Sequence, residues 1–250
     1  MPADVLSPRA KFGVMGPSTN TIVQPEFDDM RPWGVTNHYS RILNSNASAI
    51  SNETFLAGTK EIWSLTLDAV RWVMNADPDY LVMGMSAVTF NDGVAGADAF
   101  IDSVKETSGG LSVSIGSHST RDALLAYGGI KKIAFVSPYY PAMNDIVRTY
   151  YSEAGFEVVR DVALQCENWL AIAKVTDAQL IEVLKQLDGD DVDAIVQVGT
   201  NLCMARLAGE AERWLAKPVI AINTATYWHA LRAMGIDDKV PGFGRLLLEH

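Results

Sequence analysis

The chain has 250 residues, 48% of them hydrophobic and 20% charged, with a formal net charge of −10. That length buries one large core or two small ones, and the negative charge argues against nucleic acid or an anionic membrane as a partner. No apolar run approaches the roughly 20 residues of a membrane span, and positions 1–11 lack the apolar core of a secretory signal.

In chain order, residues 1–10 read as a loose arm and Phe12 to Met15 as a first strand. The loop Gly16-Pro17-Ser18-Thr19-Asn20-Thr21 follows, with four hydrogen-bonding side chains in a row. Val35 to Arg41 is a second strand carrying His38. Phe55, Ile62, Leu65, Ala69, Val70 and Val73 keep helical spacing, so 52–75 is a long helix that Asp77-Pro78 ends. Tyr80 to Met83 is a short apolar run of the kind buried in a parallel sheet. It stops at Gly84-Met85-Ser86, and a helix follows over 94–107. Leu111 to Ile115 is a strand ending in Gly116-Ser117-His118-Ser119-Thr120, read as a loop before a helix over 121–127.

Gly128-Gly129 stops that helix, and strand 133–136 opens a second half. Ser137-Pro138-Tyr139-Tyr140-Pro141 is its loop, followed by a helix to Glu153. A strand at 156–159 and a helix at 177–188 with Thr176 as N-cap come next. The stretch 194–198 repeats the form of 80–83 and ends at Gly199-Thr200-Asn201, which opens a helix through Trp214. Strand 218–222 and a helix over 225–234 close the pattern. Leu248-Glu249-His250 has the look of the start of a cloning tag and is left out of fold reasoning.

Alternating strands and helices predict an α/β fold of two similar, doubly wound parallel-sheet halves with the active site between them. The expected division is 1–120 and 121–222, with 223–250 returning to complete the first half. Ligands of such sheets bind beyond the carboxyl ends of the strands. Gly84, Met85 and Ser86 are therefore expected at the floor of a pocket, with free N–H groups and a hydroxyl for an anion. Cys166 and Cys203 have no metal-ligand spacing with each other or with the four histidines. No metal is expected, and unpaired cysteines suit a reducing cytoplasm. Nucleotide-binding glycine patterns and a nucleophile elbow are absent from the sequence. Hydroxyls, amides and turn N–H groups suit a small carboxylate, or the enolate made from it.

Five segments carry a resemblance. Pro17-Ser18-Thr19-Asn20-Thr21 and Thr36-Asn37-His38-Tyr39-Ser40-Arg41 resemble loops of maleate cis-trans isomerases. Met83-Gly84-Met85-Ser86 is similar to the dioxyanion hole of arylmalonate decarboxylases, Tyr139 falls on that hole's tyrosine, and Pro241-Gly242-Phe243-Gly244-Arg245-Leu246 is close to the decarboxylase carboxyl terminus. On these segments the chain resembles the Asp/Glu racemase superfamily over nearly all of 12–247. The resemblance implies a cofactor-free enzyme acting on a small carboxylate or dicarboxylate, most simply a decarboxylase or related lyase. A hydrolase using a histidine-activated water, an isomerase or racemase, and a non-catalytic carboxylate binder are the alternatives. A homo-oligomer is left open.

Racemases and isomerases of the superfamily use two cysteines on opposite faces of the substrate, and the decarboxylase keeps the second. Both matching positions are glycine here, Gly84 and Gly199. The expected replacements are His118, which titrates near neutrality, and Cys203, one helical turn beyond Gly199. His118 is weighed against a helix-cap histidine and Cys203 against a small buried hydrophobe. Ser86 and Tyr139 are expected to hold the developing oxyanion. Ser18, Asn20, His38, Gly84, Met85, Gly199, Thr200 and Asn201 are expected around the substrate. Arg41 is either a carboxylate partner or a surface charge; His229 and Cys166 are expected to be structural. Two glycines in place of two thiols imply extra room for a substrate bulkier than maleate.

Overall fold

The first strand, β1 (Ala10–Pro17), is buried along almost its whole length and is hydrogen-bonded on both sides. A computed structural model supplies the coordinates and describes residues 4–250, so residues 1–3 of the expected arm lie outside the described residues. From β1 the chain passes through α1 (Val23–Met30) to β2 (Val35–Ile42) and α2 (Asn52–Val73). It then passes through β3 (Tyr80–Met83), α3 (Gly93–Ser108), β4 (Val113–Ser114) and α4 (Gly116–Tyr127). The second half runs β5 (Lys132–Ser137), α5 (Pro141–Glu153), β6 (Glu157–Ala163), α6 (Trp169–Ile172), α7 (Asp177–Leu187) and β7 (Ala194–Gln197). It continues through α8 (Ala205–Leu215) and β8 (Val219–Ala221), and the chain closes with α9 (Ile222–Ala233) and α10 (Leu246–Glu249).

The strands form two four-stranded parallel sheets, ordered β2-β1-β3-β4 and β6-β5-β7-β8. The second order is the first repeated four strands later. The inner strands β3, β5 and β7 are continuous apolar runs because helices cover both faces of each sheet. In each sheet the chain reverses its direction of winding between the first and third strands. A crevice opens there at the carboxyl ends.

Local chemistry sets the helix boundaries. Ser51 with Thr54 and Thr176 with Gln179 form capping boxes at the starts of α2 and α7. Two further helix starts are capped from the opposite half. Glu26 of α1 accepts from the Met204 and Ala205 N–H groups at the head of α8, at 3.1 and 2.9 Å. Glu153 of α5 accepts from Val94 N–H at the head of α3, at 2.8 Å. After β8 the chain returns to the first half, where α9 packs on α4, α1, β3 and β4.

Helices α1 and α6 are not predicted by the sequence pattern, β6 runs on to Ala163 rather than ending at 159, α9 starts at Ile222 rather than 225, and two further boundaries are corrected. Residues 116–120 are the first turn of α4 rather than a loop, with Ser119 N–H donating to the Ile115 carbonyl at 3.0 Å. Residues 199–204 are an irregular turn rather than the opening of a helix, and α8 begins at Ala205. The terminal 246–249 segment is helical and packs on α9. No helix of the described residues is long and apolar enough to cross a membrane.

Candidate active site

The crevice between the halves holds a narrow cavity of about 40 Å³. Its lining comes from four corresponding strand ends. The β1 end gives Pro17, Thr19 and Asn20; the β3 end gives Met85, Ser86 and Ala87; the β5 end gives Pro138 and Tyr139; the β7 end gives Gly199, Thr200 and Asn201. Ile62 of α2 and Trp169 and Ile172 of α6 form an apolar wall. Trp169 reaches that wall because α2 has Gly58 in its interior: a Cβ there would lie 2.7 Å from the indole Cζ2. An interior glycine costs a helix about 1 kcal/mol.

At the floor, three donors from both halves form one chain. Thr200 N–H donates to Ser86 Oγ at 3.3 Å, Ser86 Oγ is 2.8 Å from the Tyr139 hydroxyl, and Tyr139 donates to the Val198 carbonyl at 2.7 Å. Because Tyr139 gives its proton to Val198, Ser86 gives its own to Tyr139. Tyr139 is 3% exposed, and burial pushes its pKa upward against the opposing Ser86 hydrogen bond. It stays a protonated donor throughout the physiological range. Tyr139 is also the only ionisable side chain lining the cleft among the described residues.

The loops are locked across the halves. Asn20 Nδ2 donates to Thr200 Oγ1 at 3.3 Å, and Thr21 N–H donates to Asn201 Oδ1 at 3.0 Å. Asn201 Nδ2 donates to the Trp169 carbonyl at 2.8 Å, which holds α6 over the cleft. Asn223 Nδ2 donates to the Thr200 carbonyl at 2.9 Å and to Glu26 Oε2 at 2.6 Å. Burial raises the Glu26 pKa, while these hydrogen bonds oppose the rise. Sequence reasoning missed Thr19, Pro138, Trp169, Ile172 and the Glu26–Asn223 support. Only Thr19 and Pro138 carried a signal, as neighbours of polar residues already singled out.

Several expected site residues lie elsewhere. Ser18 is exposed and turns to Asn44, whose carbonyl accepts from its hydroxyl at 2.9 Å. Gly84 does not line the cleft; its N–H continues the sheet ladder to the Met15 carbonyl at 2.7 Å. His38 faces Thr36 on an outer strand, Nε2 to Oγ1 2.9 Å. His118 lies in the first turn of α4, outside the cleft, between the Tyr150 hydroxyl at 2.8 Å and Asp98 at 2.9 Å. Burial lowers its pKa, with Asp98 opposing. His118 therefore does not reach the cleft to activate water there.

Cys203 belongs to a separate hollow lined by Glu26, Asp29 and Met204. Partial burial and the Glu26 carboxylate push its thiol up to about 11, which makes it a poor nucleophile at neutral pH. Arg41 braces the first loop through the Asn20 carbonyl at 3.0 Å and Gln24 at 2.8 Å. A serine, a histidine and an aspartate do meet behind β4. Ser114 Oγ is 2.7 Å from His229 Nδ1, and His229 Nε2 is 3.4 Å from Asp122. Ser114 is fully buried and gives its proton to the Tyr80 hydroxyl at 3.2 Å, so the histidine has no serine proton to accept.

The extra room expected beside the two glycines is also absent. A Cβ on Gly84 would meet Val23 Cγ1 at 2.7 Å, and one on Gly199 would meet Pro138 Cγ at 2.5 Å. Neighbouring side chains have taken the space.

The family model described as arylmalonate decarboxylase matches residues 68–247. This chain belongs to the arylmalonate decarboxylase family. The decarboxylase of Bordetella bronchiseptica is 27% identical over 171 residues, 67% of this chain and 70% of that one. The maleate isomerase of Pseudomonas putida is 32% identical over 118 residues, 47% of each chain, and that of Geobacillus stearothermophilus is 30% identical over 121 residues, 48% of each. The chain spans about half the length of these curated isomerases. Among solved structures, a maleate cis-trans isomerase variant of Nocardia farcinica with a covalently bound succinylcysteine intermediate superposes with a TM-score of 0.86. The identity is 23%, covering 96% of this chain and 98% of that one. A liganded double variant of arylmalonate decarboxylase gives a TM-score of 0.79 at 21% identity, covering 94% and 97%. The fold of the arylmalonate decarboxylase family is thus present along almost the whole chain.

Proposed function

We propose that this chain is a cofactor-free enzyme of small carboxylates, and that it works as a decarboxylase on a malonate-type substrate. The observation that carries this reading is the Thr200–Ser86–Tyr139 donor chain at the floor of a cleft with an apolar wall of Ile62, Trp169 and Ile172. A substrate oxygen entering the floor takes over the donors that now satisfy one another. The bond from the central carbon to one carboxylate then breaks, carbon dioxide leaves, and the electron pair moves into the remaining carboxylate to give an enediolate. Three donors preorganised at that oxygen stabilise the added charge. The apolar wall of Ile62, Trp169 and Ile172 disfavours the ionised group that is lost, since departure as neutral gas relieves its poor solvation. Water supplies the proton for the carbon, because the lining presents no cysteine, histidine, lysine or carboxylic acid among the described residues.

The isomerase reading is less well supported. The Nocardia farcinica relative carries a covalent succinylcysteine, whereas no cysteine lines this cleft among the described residues. The test is proton NMR of the purified protein with phenylmalonate and, separately, with maleate. Loss of one carboxylate from phenylmalonate is expected, with maleate unchanged. Conversion of maleate to fumarate would overturn the decarboxylase reading, and binding of both without turnover would make the chain a carboxylate binder. Ser86→Ala and Tyr139→Phe should each lower kcat by about 10²–10³ and change KM less.

A further inference from the structure

One side chain outside the donor chain, Pro138, limits what this cleft is able to do, and a second, Val23, packs in the same way just outside the cleft lining. In each half, the loop after the first strand presses a side chain against the glycine that ends the third strand. In the first half Val23, at the head of α1, sits 2.7 Å from where a Cβ of Gly84 would be, with the Met15 carbonyl at 3.1 Å behind it. In the second half Pro138 Cγ sits 2.5 Å from where a Cβ of Gly199 would be, and Pro138 Cδ is closer still. Real Cβ atoms essentially never approach a neighbour within 3.0 Å.

Backbone conformation is not the reason for either glycine. Neither has a positive φ, whereas ten other glycines of the chain do, so any residue type suits the backbone at 84 and 199. Steric exclusion is the reason, and both excluding groups are firmly seated. Val23 is 2% exposed, and its N–H donates to Asn20 Oδ1 at 2.9 Å. Pro138 has a closed ring, and its carbonyl accepts from Cys166 N–H at 3.1 Å.

We infer that Pro138 is a specificity-determining residue: it fills the volume that a side chain at 199 needs and commits that wall of the cleft to chemistry without a covalent adduct, while Val23 fills the matching volume beside Gly84 outside the cleft lining. The chemical half of this statement rests on the reading of the cleft as the reaction site. The steric half does not. The absence of a nucleophile at position 199 is therefore a packed state of the site maintained by Pro138, and a single substitution at 199 does not reverse it.

The experiment is a double-mutant cycle on the full chain with Gly199→Cys, Pro138→Ala and the pair together. Thermal midpoints are read alongside mass-spectrometric mapping of iodoacetamide labelling at position 199. Overpacking predicts a fall in midpoint of about 2–12 °C for Gly199→Cys. The pair should regain at least half of that loss, although Pro138→Ala gains nothing alone, and the introduced thiol should label only in the pair. Strong non-additivity is the signature of two groups competing for one volume. If Gly199→Cys gives no soluble protein, Gly199→Ala has the same Cβ and is read in the same way. The cycle Gly84→Ala with Val23→Ala should show a smaller rescue, since the Met15 carbonyl stays in place. A Gly199→Cys protein as stable as the parent, or a loss that Pro138→Ala does not relieve, would overturn the inference. None of these readouts needs turnover, so the result stands or falls apart from the decarboxylase reading.

Discussion

Tyr139 and Ser86 give their hydroxyl protons to protein acceptors at the cleft floor, and the proposed function treats these two hydroxyls as the donors to a substrate oxygen. On that reading only the hydrogens have to turn when a ligand oxygen arrives. Both residues were legible in the sequence because each follows a short apolar strand, where side chains face the crevice. Ser18 and His118 follow strands too, but which way a loop side chain turns is set by partners far away in sequence: Asn44 for Ser18, Asp98 and Tyr150 for His118. His118 gives a prediction of its own. Burial lowers its pKa in the folded chain, so the unfolded chain binds that proton more tightly. Stability is then lost as pH falls through the unfolded value, about 6.5, toward the lower folded value. The thermal midpoint of the parent should drop between pH 7.5 and 5.5 more steeply than that of His118→Asn. Equal slopes would show that the buried imidazole does not contribute.

Strand–helix alternation was readable for most elements because apolar periodicity and Gly or Pro stops agree. The two helix starts that differ most, α4 and α8, are instructive. Gly116-Ser117-His118-Ser119-Thr120 has the composition of a loop, yet Ser117, Ser119 and Thr120 are fully buried in a helical turn against neighbouring elements. The turn before α8 is set by Glu26, 178 positions away from Met204, a separation no local pattern reveals. Glu26→Ala removes the acceptor for two backbone N–H groups and the Asn223 amide, leaving buried donors without partners. Each such orphan costs about 1–3 kcal/mol, so chemical denaturation should show a loss of at least that size. Amide hydrogen exchange should quicken at 200–205 in Glu26→Ala, while Val94, capped by Glu153, keeps the parent rate. A variant as stable as the parent would mean that water replaces the cap without loss.

At the scale of the whole molecule, the repeated strand order puts four equivalent strand ends around one crevice, and the sequence showed this repetition in its two apolar-run-plus-glycine motifs. It did not show how the space beside those glycines is used. Vacancy was the natural expectation from the residue types; Val23 and Pro138 fill it, because close packing leaves few voids in a protein interior. The crevice that results is small, mostly apolar and floored by neutral donors, which favours one carboxylate held at the floor with an apolar body against Trp169. The most direct test is a crystal structure with phenylmalonate bound. One carboxylate should have its oxygens within about 3.2 Å of Ser86 Oγ, the Tyr139 hydroxyl and Thr200 N, with the Tyr139–Val198 bond broken and the phenyl ring against Ile62, Trp169 and Ile172. An anion seated instead among Arg206, Arg213 and Arg245 on the surface, with the Tyr139–Val198 bond intact, would contradict the account.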